Sequence, residues 1–419
     1  MHDVASRADL QRRTLNVLRF GVVPGQAAVA GTVAVVSLLA KDLLGGSDRL
    51  AGTGGAAFTL GAATVSVPLA ALMRRRGRRP GLVIALLGGA TGAVLAATGG
   101  QMRWFWLFVV GMFVFGSGQA ATLQARYVAA DLAVPTDRAR AIGAIVWVGA
   151  LGAVFGPVFT PLQKRAGEWI GLDELVGPYL FAGALFVVGA AVYAIRLRPD
   201  PLVVVGGVDP HAARTRPFRQ LRASSVTIRS SPGASLGLAA MAISQAAMVG
   251  VMTMTPPHMA DHDHGDLSAL VIAVHILGMF GLAPLVGRFV DRRGAIRAIV
   301  TGGIVLGSGT IAAVAAGYVP ALIFAGLFLL GLGWSIGLIA GTTLLTASVP
   351  AAGRVEAQGT GDLSLSLCGA AAAFGSGFVK DAAGFHILAD TATALAACLV
   401  VYAWYTRSQL ARAGLAAAA

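Results

Sequence analysis

Apolar runs long enough to cross a bilayer recur along nearly the whole chain, and no other feature restricts its fold as much. A helix needs about 20 predominantly apolar residues to span the hydrocarbon core. Twelve such runs can be read, at approximately 16–40, 50–73, 81–99, 104–128, 141–162, 177–196, 234–257, 267–288, 296–317, 320–344, 361–379 and 385–406. In lipid each backbone N–H and C=O must be bonded within its own segment, so each run is expected to be a helix. The balance of residue types agrees. Hydrophobic residues are 56% of the 419 positions, charged residues 12%, and the mean hydropathy is +0.75, far above a soluble domain of this length. The 56 glycines suit helices that must approach closely where no hydrophobic force drives them together. The sequence therefore predicts an all-α membrane protein, twelve transmembrane helices in two pseudo-symmetric six-helix bundles.

A formal charge of +13 would suit a nucleic-acid partner if it were gathered on one soluble face, so its placement decides. All but six of the 32 Lys and Arg fall on one side of the spans, the exceptions being Lys41, Arg49, Arg103, Lys164, Arg165 and Lys380. This bias is the positive-inside pattern. It predicts both termini in the cytoplasm and a lipid bilayer, not nucleic acid, as the partner. The N-terminal MHDVASRADLQRR lacks the short apolar core and small-residue cleavage site of a removable signal. Cys368 and Cys398, the two cysteines, fall in predicted spans and are expected to be buried, unpaired and small. No HExxH, nucleophile elbow or phosphate loop is present, so no enzyme is expected, and no resident cofactor.

The chain divides into 1–196, a Pro- and Arg-rich linker at 197–232, and 233–419. The outer segments share a punctuation mark. Gly287-Arg288-Phe289-Val290-Asp291-Arg292-Arg293-Gly294 follows the eighth run, and Met73-Arg74-Arg75-Arg76-Gly77-Arg78-Arg79 follows the second. Aligning Gly77 with Gly294 gives an offset near half the chain, the sign of a parallel repeat.

Metal-ligating residues crowd into one stretch. Met241, Met248, Met252, Met254, Met259 and Met279 lie there with His258, His262, His264 and His275. Met248 and Met252 are four apart in the seventh run, with Met241 a heptad earlier on a similar face, and His275 and Met279 repeat the spacing in the eighth. Two such stripes could surround one ion with three thioethers and an imidazole, a soft, uncharged set that suits Cu(I) and not magnesium, calcium or manganese. Neutral ligands also let a permeant ion leave. A Met-x-x-x-Met pair in an apolar helix is also ordinary packing. His275 carries more weight, because an ionisable residue inside a span is costly, although a structural histidine satisfies the same pattern. Between the runs, Pro256-Pro257 is expected to end the seventh helix, followed by a loop with His258, Met259, Asp261, His262, Asp263, His264 and Asp266. That loop reads as a metal-collecting mouth or as a solvated polar loop, without the fixed spacing of structural zinc.

The loops GRFVDRRG and RRRGRR, the twelve runs and the central linker resemble the major facilitator superfamily, whose fold this implies. In the first copy Arg74 stands where the family's loop carries an acid, the place of Asp291. Gly152-Ala153-Val154-Phe155-Gly156-Pro157 is similar to the glycine-proline motif of the family's antiporters, and it is equally a bend or close contact. Met-x-x-x-Met with His-x-x-x-Met resembles the CcoA-like bacterial copper importers of that superfamily. The resemblance implies copper import across the inner membrane for cytochrome c oxidase assembly, with Met248, Met252, His275 and Met279 as ligands to the passing ion. Thiols are also implicated in that branch, which makes Cys368 a candidate accessory ligand, while His258, Met259, His262 and His264 are candidate accessory ligands by their place in the mouth loop; a periplasmic copper donor or a cytoplasmic copper chaperone is the candidate partner. The alternative is a proton-coupled multidrug or small-molecule exporter. That chemistry wants a carboxylate within the membrane, for which Asp362 is the nearest candidate.

Overall fold

The computed structural model describes residues 2–33, 35–45, 53–210, 217–260, 268–315 and 320–412. The elements are α1 (His2–Val33), α2 (Val36–Leu43), α3 (Thr53–Arg76), α4 (Arg78–Gln101), α5 (Phe105–Asp131), α6 (Arg138–Val158), α7 (Thr160–Trp169), α8 (Gly177–Arg196), α9 (Pro201–Val204), α10 (Pro217–Arg229), α11 (Pro232–Ala260), α12 (Ser268–Ile276), α13 (Ala283–Arg293), α14 (Ala295–Ala315), α15 (Pro320–Ala347) and α16 (Arg354–Arg412). No strand occurs among the described residues. Ten described helices are long and apolar enough to cross a membrane, or eleven with one bent pair counted as a span. The expected first span is carried by α1 and α2, with residue 34 outside the described residues. The all-helical, multi-pass membrane architecture read from the sequence is the one observed.

Two compact units form, residues 1–133 with 148–221, and residues 134–147 with 222–419. Within the first, α3 and α5 cross at glycine. A methyl on Gly61 would run into the Phe113 carbonyl, and one on Gly116 into the backbone of Ala62. Only glycine lets the two backbones come this near.

The two loops aligned in the sequence share their backbone geometry. Gly77 has φ 95° and ψ 171°, and Gly294 has φ 83° and ψ 149°, a left-handed conformation that a side chain disfavours. Each ends one helix and starts the next. The second-unit copy uses its acid at a helix start. Asp291 accepts from the N–H groups of Ala139 (3.0 Å) and Arg140 (2.8 Å) in the first turn of α6, where unsatisfied donors and the helix dipole favour a negative charge.

In the first unit Arg74 replaces that acid, and the linker supplies carboxylates instead. Asp200 accepts from the Arg79 N–H at 2.7 Å while capping α9 through Leu202 at 2.9 Å. Asp209 pairs with Arg74 at 3.5 Å and donates its N–H to the Arg74 carbonyl at 2.9 Å. Beneath lies a buried bidentate pair, Arg78 Nε to Asp131 at 2.8 Å and Nη2 at 3.1 Å, with Nη1 on Gln124 at 3.2 Å.

Two expectations are corrected. Pro256 and Pro257 do not end the seventh helix, since α11 continues through both to Ala260. Prolines inside a membrane helix are tolerated where neighbouring segments pack on it, and here the last turn of α11 packs on α16, with His258 stacked on Phe385. Nor are the cysteines buried. Cys368 is half-buried and Cys398 exposed, both as free thiols. On the outward face of a span, lipid solvates a small apolar thiol as well as a core would.

Candidate functional site

In the second unit α15 is the element against which the two proposed ligand stripes pack. Along α11 the contacts climb in one sense while those along α15 descend, so the two are antiparallel. The Thr342 hydroxyl donates to the Met241 sulfur at 3.8 Å, Ser244 fills the space left by Gly337, and Trp334 Nε1 donates to Gln245 Oε1 at 2.7 Å. One further turn brings Met248, which is buried, to about the level of Gly331.

The eighth span meets α15 at that same level. A methyl on Gly331 would lie 2.5 Å from the His275 carbonyl oxygen, 2.9 Å from the Met279 nitrogen and 3.1 Å from Met279 Cγ. His275 and Met279 thus flank Gly331, and Met248, counted along α11, falls at about the same depth. Met252, half-buried, follows a turn later, near the level of Leu327.

His275 is fully buried, and its Nδ1 lies 2.7 Å from the Leu327 carbonyl oxygen. A carbonyl can only accept, so Nδ1 carries the proton and Nε2 presents a lone pair. That Nε2 is buried and has no hydrogen-bond partner. Ligating histidines share this feature, one ring nitrogen held by a backbone carbonyl and the other with its lone pair unengaged.

Just past His275 the helix widens to a π-helical segment, Leu277–Gly281, which carries Met279, and then bends by 40° into α13. Pro284, at the start of α13, explains the break, since it removes one N–H and clashes with the carbonyl four residues back. Gly278 lets the widened turn press on the Phe328 carbonyl. The proposed ligands thus stand on the least regular part of the span, as π-segments at functional sites often do.

The accessory candidates are not brought to this level. His258 lies ten residues beyond Met248, about 15 Å along the helix, and stacks on Phe385 with ring centres 4.2 Å apart and planes at 7°. Met259 is buried beside it. Cys368 is half-buried on α16 beside Gly369, which faces the Gln245 side chain. His262 and His264 lie outside the described residues. Among the described residues no three His, Cys, Asp or Glu side chains gather as they would around a metal ion. Asp362, the acid considered for proton coupling, is fully buried on α16, one turn after Gln358.

A polar and aromatic cluster beside the methionines was missed in the sequence. Trp334 meets Phe280 edge to face, ring centres 5.8 Å apart, while holding Gln245. The Ser244 and Ser335 hydroxyls nearby are buried and without partners. The available signal was polarity, because Gln245 and Trp334 are among the few residues able to hydrogen-bond within α11 and α15.

Comparison with known proteins adds lineage to this geometry. The sequence pattern described as Major Facilitator Superfamily matches residues 20–373 and again 237–417. The second match, confined to the latter part, accords with a repeated half. The chain is 35% identical over 84% of its length to the uncharacterized MFS-type transporter YddS of Bacillus subtilis, covering 81% of that protein. It is 29% identical over 79% to the riboflavin transporter RfnT of Brucella anthropi, covering 80% of it. Among solved structures it resembles the human organic anion transporter MFSD10 (TM-score 0.73, 18% identity, 94% of this chain and 99% of that one). It also resembles a bacterial homologue of the iron transporter ferroportin in its outward-facing state (TM-score 0.74, 14% identity, 94% and 99%). At these identities the two structures speak for the fold alone.

Proposed function

The chain belongs to the major facilitator superfamily, and from that premise we propose that it is a secondary transporter, not an enzyme, whose cargo is copper. In this reading Cu(I) is taken by Met248, Met252, His275 and Met279 and carried inward across a bacterial inner membrane by alternating access, the mode of this fold. Both termini lie in the cytoplasm, and the copper serves cytochrome oxidase assembly. Of the relatives named above, the one with a named cargo moves riboflavin, so copper rests on this chain's own residues.

The observation that carries it is the buried, unpartnered Nε2 of His275 at the level of Met248 and Met279. Leaving a polar nitrogen unsatisfied in a span costs about 1–3 kcal/mol, a cost that a soft cation bound in transit would remove. Thioethers and a neutral imidazole suit Cu(I) and bring no fixed charge into lipid.

A second reading has support of its own. Trp334, Phe280, Gln245 and Ser244 offer an aromatic face beside hydrogen-bonding groups, which suits a planar organic solute such as the one moved by RfnT. Asp362 would then be the coupling acid. Uptake into proteoliposomes separates the readings. Radiolabelled copper with the parent, Met252→Ala and His275→Gln is expected to be lost in both variants. Unchanged copper uptake in both, together with uptake of riboflavin that falls in Trp334→Ala, would replace copper with the organic solute.

A further inference from the structure

A pair of imidazoles meets at the end of the same unit remote from the basic loops. His258, in the last turn of α11, and His386, two residues past the left-handed Gly384 that breaks α16 (φ 83°), have ring centres 6.2 Å apart with planes at 78°. His258 is buried and His386 exposed.

The neighbouring residue makes the geometry specific. Phe385 stacks flat on His258, which fixes the plane of that imidazole and turns its nitrogens sideways. The next residue along the chain, His386, meets that imidazole with its own plane nearly perpendicular. Metal–imidazole bonds of about 2.0–2.1 Å put the centres of two rings sharing one ion roughly 5–6 Å apart, so little movement is needed. Met259 follows His258 directly and points to a different side of the helix, so it is not part of the pair.

We propose that His258 and His386 form a second, two-imidazole site for a soft or borderline cation, through which Cu(I) is taken up before it reaches the methionine level about 15 Å along α11. This rests on the copper reading for its cargo, though not for its geometry. The exposed imidazole is the group that a donor can reach, and the buried one lies on the helix that carries Met252 and Met248. Imidazole also suits copper of either oxidation state, whereas thioether favours Cu(I).

Stoichiometry tests it. Purified protein in detergent is titrated with Cu(I), kept reduced, against a chromogenic chelator, comparing the parent, His386→Ala and the double variant Met248→Leu/Met252→Leu. Two equivalents in the parent and one in each variant are expected. Two equivalents retained in His386→Ala would overturn the site, as would a single parental equivalent that survives in His386→Ala. In that last case, loss in the methionine variant leaves the copper reading standing alone. A single equivalent lost only in His386→Ala keeps this site and removes the methionine one, and no binding at all removes both.

Discussion

Replacing Gly331 by alanine separates packing from cargo binding at one position. The added methyl lies 2.5 Å from the His275 carbonyl oxygen and 2.9 Å from the Met279 nitrogen, both backbone atoms that cannot rotate away. Ordinary contact is about 3.5 Å, so the eighth span must retreat from α15 by roughly 0.5–1 Å. Overpacking of this size costs about 1–3 kcal/mol. A retreat of that order also exceeds the tolerance of a metal–ligand bond, about 0.2 Å, and it displaces His275 and Met279 together while α11 stays in place. Under the copper reading, Cu(I) affinity is therefore expected to fall tenfold or more, equivalent to about 1.4 kcal/mol.

The control lies two residues away. A methyl on Gly333 would lie 2.6 Å from the Leu306 nitrogen and 2.7 Å from its Cα, on α14. Gly333→Ala is expected to lower the melting temperature about as much and to leave Cu(I) affinity unchanged. Chelator competition and thermal unfolding of the purified proteins read the two quantities independently. Equal losses of affinity in both variants, or none in Gly331→Ala, would refute the level assigned to the ligands.

Other outcomes follow from the buried polar contacts. Arg78→Ala removes both guanidinium bonds from the Asp131 carboxylate, 6% exposed, and is expected to cost about 3–5 kcal/mol, read as a lowered melting temperature that Arg78→Ala/Asp131→Ala partly restores. Asp291→Asn keeps one acceptor for the start of α6 and loses the charge, a cost of about 1–2 kcal/mol, whereas Asp291→Glu should lose less. Asp200→Ala frees the Arg79 and Leu202 N–H groups, and the linker segment 197–209 should then become cleavable by protease well before the helices do. Trp334→Phe removes the bond to Gln245, worth about 1 kcal/mol. It should leave copper uptake intact under the copper reading and impair solute uptake under the other.

The spans, the class of fold and the repeat were legible because lipid imposes them locally. A run of about 20 apolar residues can satisfy its backbone only as a helix, whatever surrounds it, and Gly77 and Gly294 repeat because both must take a left-handed turn. Proline misled at 256–257 for the same local reason. Its rule describes a helix without neighbours, whereas the end of α11 packs on α16, where His258 stacks on Phe385. The cysteines misled because a membrane span is apolar on both sides, so hydrophobicity does not tell the core from the lipid face. The linker acids went unread, since nothing in the spacing of Asp200 and Asp209 points back to Arg79 and Arg74, more than a hundred residues earlier.

The residue types of the site belong to the sequence and their assembly to the tertiary structure. Helical spacing alone places Met248 with Met252 and His275 with Met279, because those pairs share a face within one helix. Whether the two faces meet at one depth depends on the register of α11 and of the eighth span against α15, which the close approaches at Gly331 and Gly337 set. No local rule contains that register. The same holds for the tautomer of His275, chosen by the carbonyl of Leu327 fifty-two residues away, and for the pairing of His258 with His386. Each is a contact between segments distant in sequence, and only packing brings them together.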